Sequence, residues 1–196
     1  MRHGEVHRKT NETEVSLRIA IDGAGESDIA TGVGFFDHML THLAKHGLFD
    51  LEVKAVGDLH IDAHHTVEDV GICLGKALLD AAGDFRGIRR YGQASIVMDE
   101  ALAEVAVDMS GRPFLVFNAE FPTATVGGFD AELAREFCQA LAVNARMTLH
   151  VNLRYGANTH HCIEGIFKAL ARALRNALEL DARQTGVPST KGMLET

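Results

Sequence analysis

Two stretches, His64-His65-Thr66-Val67-Glu68 and His160-His161-Cys162-Ile163-Glu164, carry the same polar pattern, HHxxE, 96 positions apart. Apolar residues recur at helical spacing through each: Val67, Val70, Leu74 and Leu78 in the first, Ile163, Ile166, Leu170 and Leu174 in the second. In one register Leu74, Lys76, Ala77 and Leu78 meet Leu170, Arg172, Ala173 and Leu174. Each motif follows an alternating, strand-like run (Leu51, Val53, Ala55; Leu149, Val151, Leu153), and each run follows a helical stripe (Phe36, Met39, Leu40, Leu43; Leu133, Phe137, Leu141). Two copies of a five-residue polar motif in equivalent surroundings imply internal duplication. The expected fold is α+β: two similar halves, residues 1–90 and 91–196, each a small, mostly antiparallel sheet packed on helices, together forming one compact domain.

Working outward, Val15, Leu17, Ile19 and Ile21 alternate as a half-buried strand that ends at Asp22-Gly23-Ala24-Gly25. A helix is expected over 35–46 with Gly47 as its C′ residue, and another over 64–82 stopped by Gly83-Asp84. In the second half, strands are expected over 101–108 and 113–118. A helix capped by Asp130 follows over 130–145, and a long amphipathic helix over 160–178. His3 and His7 are expected in a flexible terminus. Val187-Pro188-Ser189-Thr190-Lys191-Gly192 forms a polar tail.

Composition narrows the function. The chain has 196 residues and is 46% hydrophobic, enough for a sizeable core. No apolar run approaches the ~20 residues of a membrane span, and the first residues lack a signal-peptide core, so a cytoplasmic location is expected. A net charge of −8 argues against a broad nucleic-acid surface. Cys73, Cys138 and Cys162 form no CxxC pair and are expected to be reduced core residues. No GxSxG is present, and Thr31-Gly32-Val33-Gly34 lacks the spacing of a nucleotide loop.

Eleven histidines are the unusual feature. On a helix, residues four apart share a face, so His64 and Glu68 can hold one metal, while His65, about 100° further round, reaches another. The same geometry applies to His160, Glu164 and His161. One HHxxE alone is more often a solvated helix face; two on equivalent elements need a common cause. Imidazole with carboxylate suits Mn²⁺, Fe²⁺ or Zn²⁺. His38, His42 and His46 fall on one helical stripe, and for His42 and His46 a hydrogen-bonded or partly exposed histidine weighs evenly against a substrate role. Arg89, Arg90, Arg112 and Ser189-Thr190-Lys191 are candidate phosphate binders, though each alone is commonly a surface group.

Taken together, Phe35-Phe36-Asp37-His38-Met39-Leu40, the run from Gly57 through Asp69, Met98-Asp99-Glu100, Ser110-Gly111-Arg112-Pro113, the second HHxxE and Pro188-Ser189-Thr190-Lys191-Gly192 resemble the imidazoleglycerol-phosphate dehydratase family. The likeness runs from about Arg8 to Gly192. It implies a histidine-biosynthesis enzyme that dehydrates imidazole glycerol phosphate to imidazole acetol phosphate. It further implies two Mn²⁺ ions per active site and a homo-oligomeric shell of 24 subunits with sites at subunit interfaces. By resemblance, one ion is held by His38, His65, His160 and Glu164, the other by His64, Glu68, His161 and Glu136, where many relatives have histidine. Glu12, Arg90, Arg112, Ser189 and Lys191 would contact substrate, the last four mainly at its phosphate.

The chemistry explains such a site. The carbon-bound proton lies next to no carbonyl, so only the imidazole ring can delocalise charge. The divalent ions that the resemblance implies would supply Lewis acidity to that ring and so ease loss of the neighbouring hydroxyl. A nearby group must move the proton; Glu12 is the first candidate, and a metal-linked glutamate (Glu68 or Glu164) the alternative. A non-catalytic metal-storage or metallochaperone shell is the rival class, and it leaves the phosphate-binding set without a purpose. Packing the halves back to back in one chain is not expected to bring His38 and His65 to His160 and Glu164.

Overall fold

The structure, a computed structural model, describes residues 1–194. The first half runs β1 (His3–Lys9), β2 (Thr13–Ala20), β3 (Ser27–Ala30), α1 (Gly34–Gly47), β4 (Asp50–Gly57) and α2 (His64–Ala82). The second runs β5 (Tyr91–Met98), β6 (Ala101–Asp108), β7 (Phe114–Asn118), a small hairpin β8 (Thr125–Val126) and β9 (Phe129–Asp130), α3 (Leu133–Asn144), β10 (Thr148–Tyr155) and α4 (Thr159–Leu178). The sheets have orders β1-β2-β4-β3 and β5-β6-β10-β7, the same topology twice. In each, the fourth strand in that order lies parallel to its neighbour and the other pairs are antiparallel. The fold is α+β with two similar halves.

Strand alternation sets the layers. β2 buries Val15, Leu17 and Ile19, and β6 buries Ala103, Val105 and Val107, while the residues between them face outward. Each sheet therefore has one apolar face, covered by helices. The helices exchange partners: α1 packs on α4 and α3 on α2, so the four meet between the two sheets. Phe137 anchors this layer, with its ring 5.4 Å from Phe36 and 5.1 Å from Phe167. Burying each such ring stabilises the fold by about 1.5–3 kcal/mol.

Gly4 of β1 and Gly92 of β5 show why strand and helix pack so closely. A Cβ at Gly4 would fall on the carbonyl oxygen of Ala77, and one at Gly92 on that of Ala173. Ala77 and Ala173 are the paired positions in the two HHxxE helices. Gly92→Ala is therefore expected to destabilise the protein by about 1–3 kcal/mol through forced displacement of α4. Chemical denaturation measures it, and an unchanged midpoint would show that the helix yields freely.

Several local expectations need correction. His3 and His7 lie in an ordered strand, β1, paired along its length with β2. The left-handed residue ending α1 is Leu48 (φ 54°), not Gly47, which stays helical and has no room for a Cβ beside the Phe49 ring. Asp130 belongs to β9 and caps nothing; α3 starts at Leu133 after Glu132, with no side-chain cap. No described helix is long and apolar enough to cross a membrane. The three cysteines are buried and unpaired.

Candidate active site

Both HHxxE motifs open their helices. Asn158 caps α4, its side-chain oxygen accepting from the amides of His160 (2.9 Å) and His161 (3.3 Å). Asp62 does similar work at α2, accepting from the His64 amide at 2.8 Å. The paired rings match: His64–His65 and His160–His161 both have centroids 6.1 Å apart at 80°. Adjacent histidines thus diverge in both halves, as helical geometry requires.

The α1–α4 contact brings His38 to His160 and Glu164 within one chain, contrary to expectation for His38, while His65 does not join them. One ligand atom from each lies within 4.8 Å of the others, the one such group among the described residues. Glu164 is 4% exposed. Its Oε2 lies 3.0 Å from His160 Nε2 and 3.5 Å from His38 Nε2, and its Oε1 accepts from Lys168 Nζ at 2.5 Å. Burial pushes its pKa up, but the Lys168 hydrogen bond and the neighbouring imidazoles outweigh this and hold it at about 2.

His42 packs behind this group, with Nε2 3.1 Å from His38 Nε2 and 3.4 Å from Glu164 Oε1. Burial lowers its pKa to about 4, so it is a neutral imidazole at pH 7. His46 stacks on His42 at 5.6 Å and is likewise lowered, mainly by burial. These two residues support the cluster from α1.

The other expected ligands lie elsewhere. His65 contacts Asp58 through Nδ1 (2.9 Å) and Glu12 through Nε2 (3.9 Å). His161 contacts Glu100 through Nδ1 (2.7 Å). These carboxylates raise the pKa of both histidines. Glu136 pairs with Arg135 at 3.0 Å, and it does not converge with His64 and Glu68 in a three-donor group. Lys168, Asp58 and Glu100 join the site beyond the residues that the sequence singles out. Lys168 is legible as the i+4 partner of Glu164, whereas Asp58 and Glu100 stand in turns that no periodicity marks.

The four phosphate candidates do meet. Arg90, Arg112, Ser189 and Lys191, from three separate segments, line one cleft of about 640 Å³. Arg90 is held by a bidentate pair with Asp108 (2.7 and 3.2 Å) and donates to the Pro188 carbonyl at 2.8 Å, fastening the tail to the second sheet. Its amide donates to the carbonyl of Ala177, near the end of α4. Ala177 lies thirteen residues beyond Glu164 on that helix, a rise of roughly 20 Å, so the Arg90 backbone at the edge of the cleft stands about that far along α4 from Glu164 in one chain.

Comparison with known proteins defines the class first: the proteins this chain matches are dehydratases, and it is an enzyme of the hydro-lyase class. Its residues 31–174 match the family model described as imidazoleglycerol-phosphate dehydratase. It is 60% identical over 194 residues to the imidazoleglycerol-phosphate dehydratase of Agrobacterium fabrum, covering 98% of each chain. It is 61% identical to that of Symbiobacterium thermophilum, covering 98% of this chain and 93% of the relative. Among solved structures, the Staphylococcus aureus enzyme shares 45% identity at a TM-score of 0.83, covering 91% of this chain and 99% of that one. The Pyrococcus furiosus enzyme, solved in complex with (S)-C348, shares 36% at 0.84, covering 96% and 100%. The chain belongs to the imidazoleglycerol-phosphate dehydratase family. That family removes water from imidazoleglycerol phosphate in histidine biosynthesis, which decides for an enzyme over a metal-storage shell.

Proposed function

We propose that the protein dehydrates imidazole glycerol phosphate to imidazole acetol phosphate with Mn²⁺, two ions per site, in a cytoplasmic homo-oligomer whose active sites lie between subunits. The carrying observation is the His38, His160 and Glu164 group. Two imidazoles and a buried, ionised carboxylate fit a divalent ion of the Mn²⁺ kind, and the absence of thiolate disfavours softer ions. His64, His65, Glu68, Glu136 and His161 would complete the two ligand sets once subunits assemble. A bound divalent ion supplies Lewis acidity toward the substrate's imidazole ring.

The chain's own residues do the rest. Glu164 keeps its charge through the hydrogen bond from Lys168, and His42, being neutral, adds no positive charge beside it. The cleft at Arg112, Ser189 and Lys191 binds the phosphate, with Arg90 holding the tail in place. Glu12, half-exposed at the β1–β2 turn and 3.9 Å from His65, moves the carbon-bound proton.

The separation along α4 supports interface sites. A phosphorylated imidazole triol is on the order of 10 Å long by ordinary bond lengths. It cannot span the roughly 20 Å along α4 from Glu164 to the Arg90 edge of the cleft in its own chain. The two parts act together only if they come from different subunits. A 24-subunit shell remains the expectation from family resemblance.

Lys191→Ala tests the phosphate assignment. A lysine supplies point charge, not ligation, so the variant is expected to raise KM by about 10- to 100-fold while Mn²⁺ content stays unchanged. Steady-state kinetics with metal analysis read both. Loss of metal with KM unchanged would mean that the tail has been misassigned.

A further inference from the structure

The duplication lets the two halves be compared position by position. Glu12 stands in the β1–β2 turn and Glu100 in the β5–β6 turn, an offset that also relates Gly4 to Gly92. The two equivalent carboxylates are used differently. Glu100 Oε2 accepts from His161 Nδ1 at 2.7 Å, and its Oε1 accepts from the amides of Ala157 (3.1 Å) and Asn158 (2.8 Å). Glu12 instead approaches the Nε2 side of His65, at 3.9 Å.

In the first half Asp58, just after β4, takes over the Nδ1 contact. Its Oδ2 lies 2.9 Å from His65 Nδ1. Its Oδ1 is buried without a hydrogen-bond partner. In both pairs it is Nδ1 that faces the carboxylate oxygen, at 2.9 and 2.7 Å, which leaves Nε2 as the ring nitrogen open to a ligand.

We propose that Asp58 and Glu100 are positioning residues that fix the tautomer and ring direction of His65 and His161, so that each presents Nε2 to a divalent ion. The two halves meet the same requirement with carboxylates from non-equivalent places, Asp58 after β4 and Glu100 in the hairpin turn. This inference rests on the metal reading above. Carboxylates that hold a ligating imidazole in this way typically contribute 10- to 100-fold to metal affinity.

The test is Mn²⁺ binding by the whole metal-stripped enzyme, in competition with a chelator, with free Mn²⁺ followed by electron paramagnetic resonance. Asp58→Ala and Glu100→Ala are expected to bind about 10- to 100-fold more weakly than wild type. Asp58→Asn and Glu100→Gln keep an oxygen that accepts Nδ1–H and are expected to recover most of that loss. Circular dichroism of the metal-free proteins checks that each variant is folded. Alanine variants that bind like wild type overturn the assignment, as do Asn and Gln variants no better than alanine. Failure of the wild type itself to bind Mn²⁺ overturns the metal reading, and this inference with it.

Discussion

Glu164→Gln is expected to lower kcat/KM by on the order of a hundred- to a thousandfold and to empty the cluster of Mn²⁺. The substitution keeps shape and volume but removes the one negative charge in the His38, His160 and Glu164 group. Glu164 is also the acceptor for Lys168, so the variant leaves that ammonium, with a side chain only 17% exposed, facing a neutral amide. An uncompensated, largely buried cation destabilises the fold, by less than the ~3–5 kcal/mol of a fully buried broken pair because Lys168 retains some solvent. Metal analysis and kinetics, run beside thermal unfolding, separate the two effects. A variant that unfolds like wild type, retains Mn²⁺ and turns over normally would remove Glu164 from the site.

The same residue has a pH signature. Its pKa in the folded chain lies below the ordinary carboxylate value, so its contribution to stability is fully present above about 4.5 and is lost as pH falls toward 2. Glu164→Gln is expected to lack this part of the acid dependence.

Much of the architecture was legible because the apolar periods are strong. α2 spans the expected 64–82, and the motif offset pointed to a duplication that recurs in the two sheet orders. Among the strands that alternation does not reveal, β1 and β5 share a physical cause. Each lies against a helix backbone through a glycine, Gly4 or Gly92, so at that position close approach takes the place of the large side chain that would make alternation visible. β1 carries one sizeable aliphatic residue, Val6, among polar ones. Cap positions misled for a related reason: Gly47 is small because Phe49 needs the space, not because the chain turns left-handed there.

The site was legible in part. Helical spacing alone implied that neighbouring histidines diverge, and both pairs do so with the same separation and angle. Periodicity could not show that α1 crosses to α4, since that depends on how the helices of the two halves share the space between the sheets. It also could not place Asp58 or Glu100, whose importance comes from turns that bring them to Nδ1 atoms seven and sixty-one residues away in sequence.

The central claim is that cluster and cleft act together only across subunits, because one chain sets Glu164 and the Arg90 edge of the cleft about 20 Å apart along α4. Mixing the two damaged proteins tests it most directly. Glu164→Gln lacks a working cluster but has an intact cleft, whereas Lys191→Ala has the reverse. The two variants are dissociated, combined and reassembled with Mn²⁺, then assayed at substrate concentrations well below the KM of Lys191→Ala. The account predicts activity well above that of either variant reassembled alone, since some interfaces then join an intact cluster to an intact cleft. Mixed particles, verified by mass to contain both subunits, that show no more than the average of the two parents would contradict it.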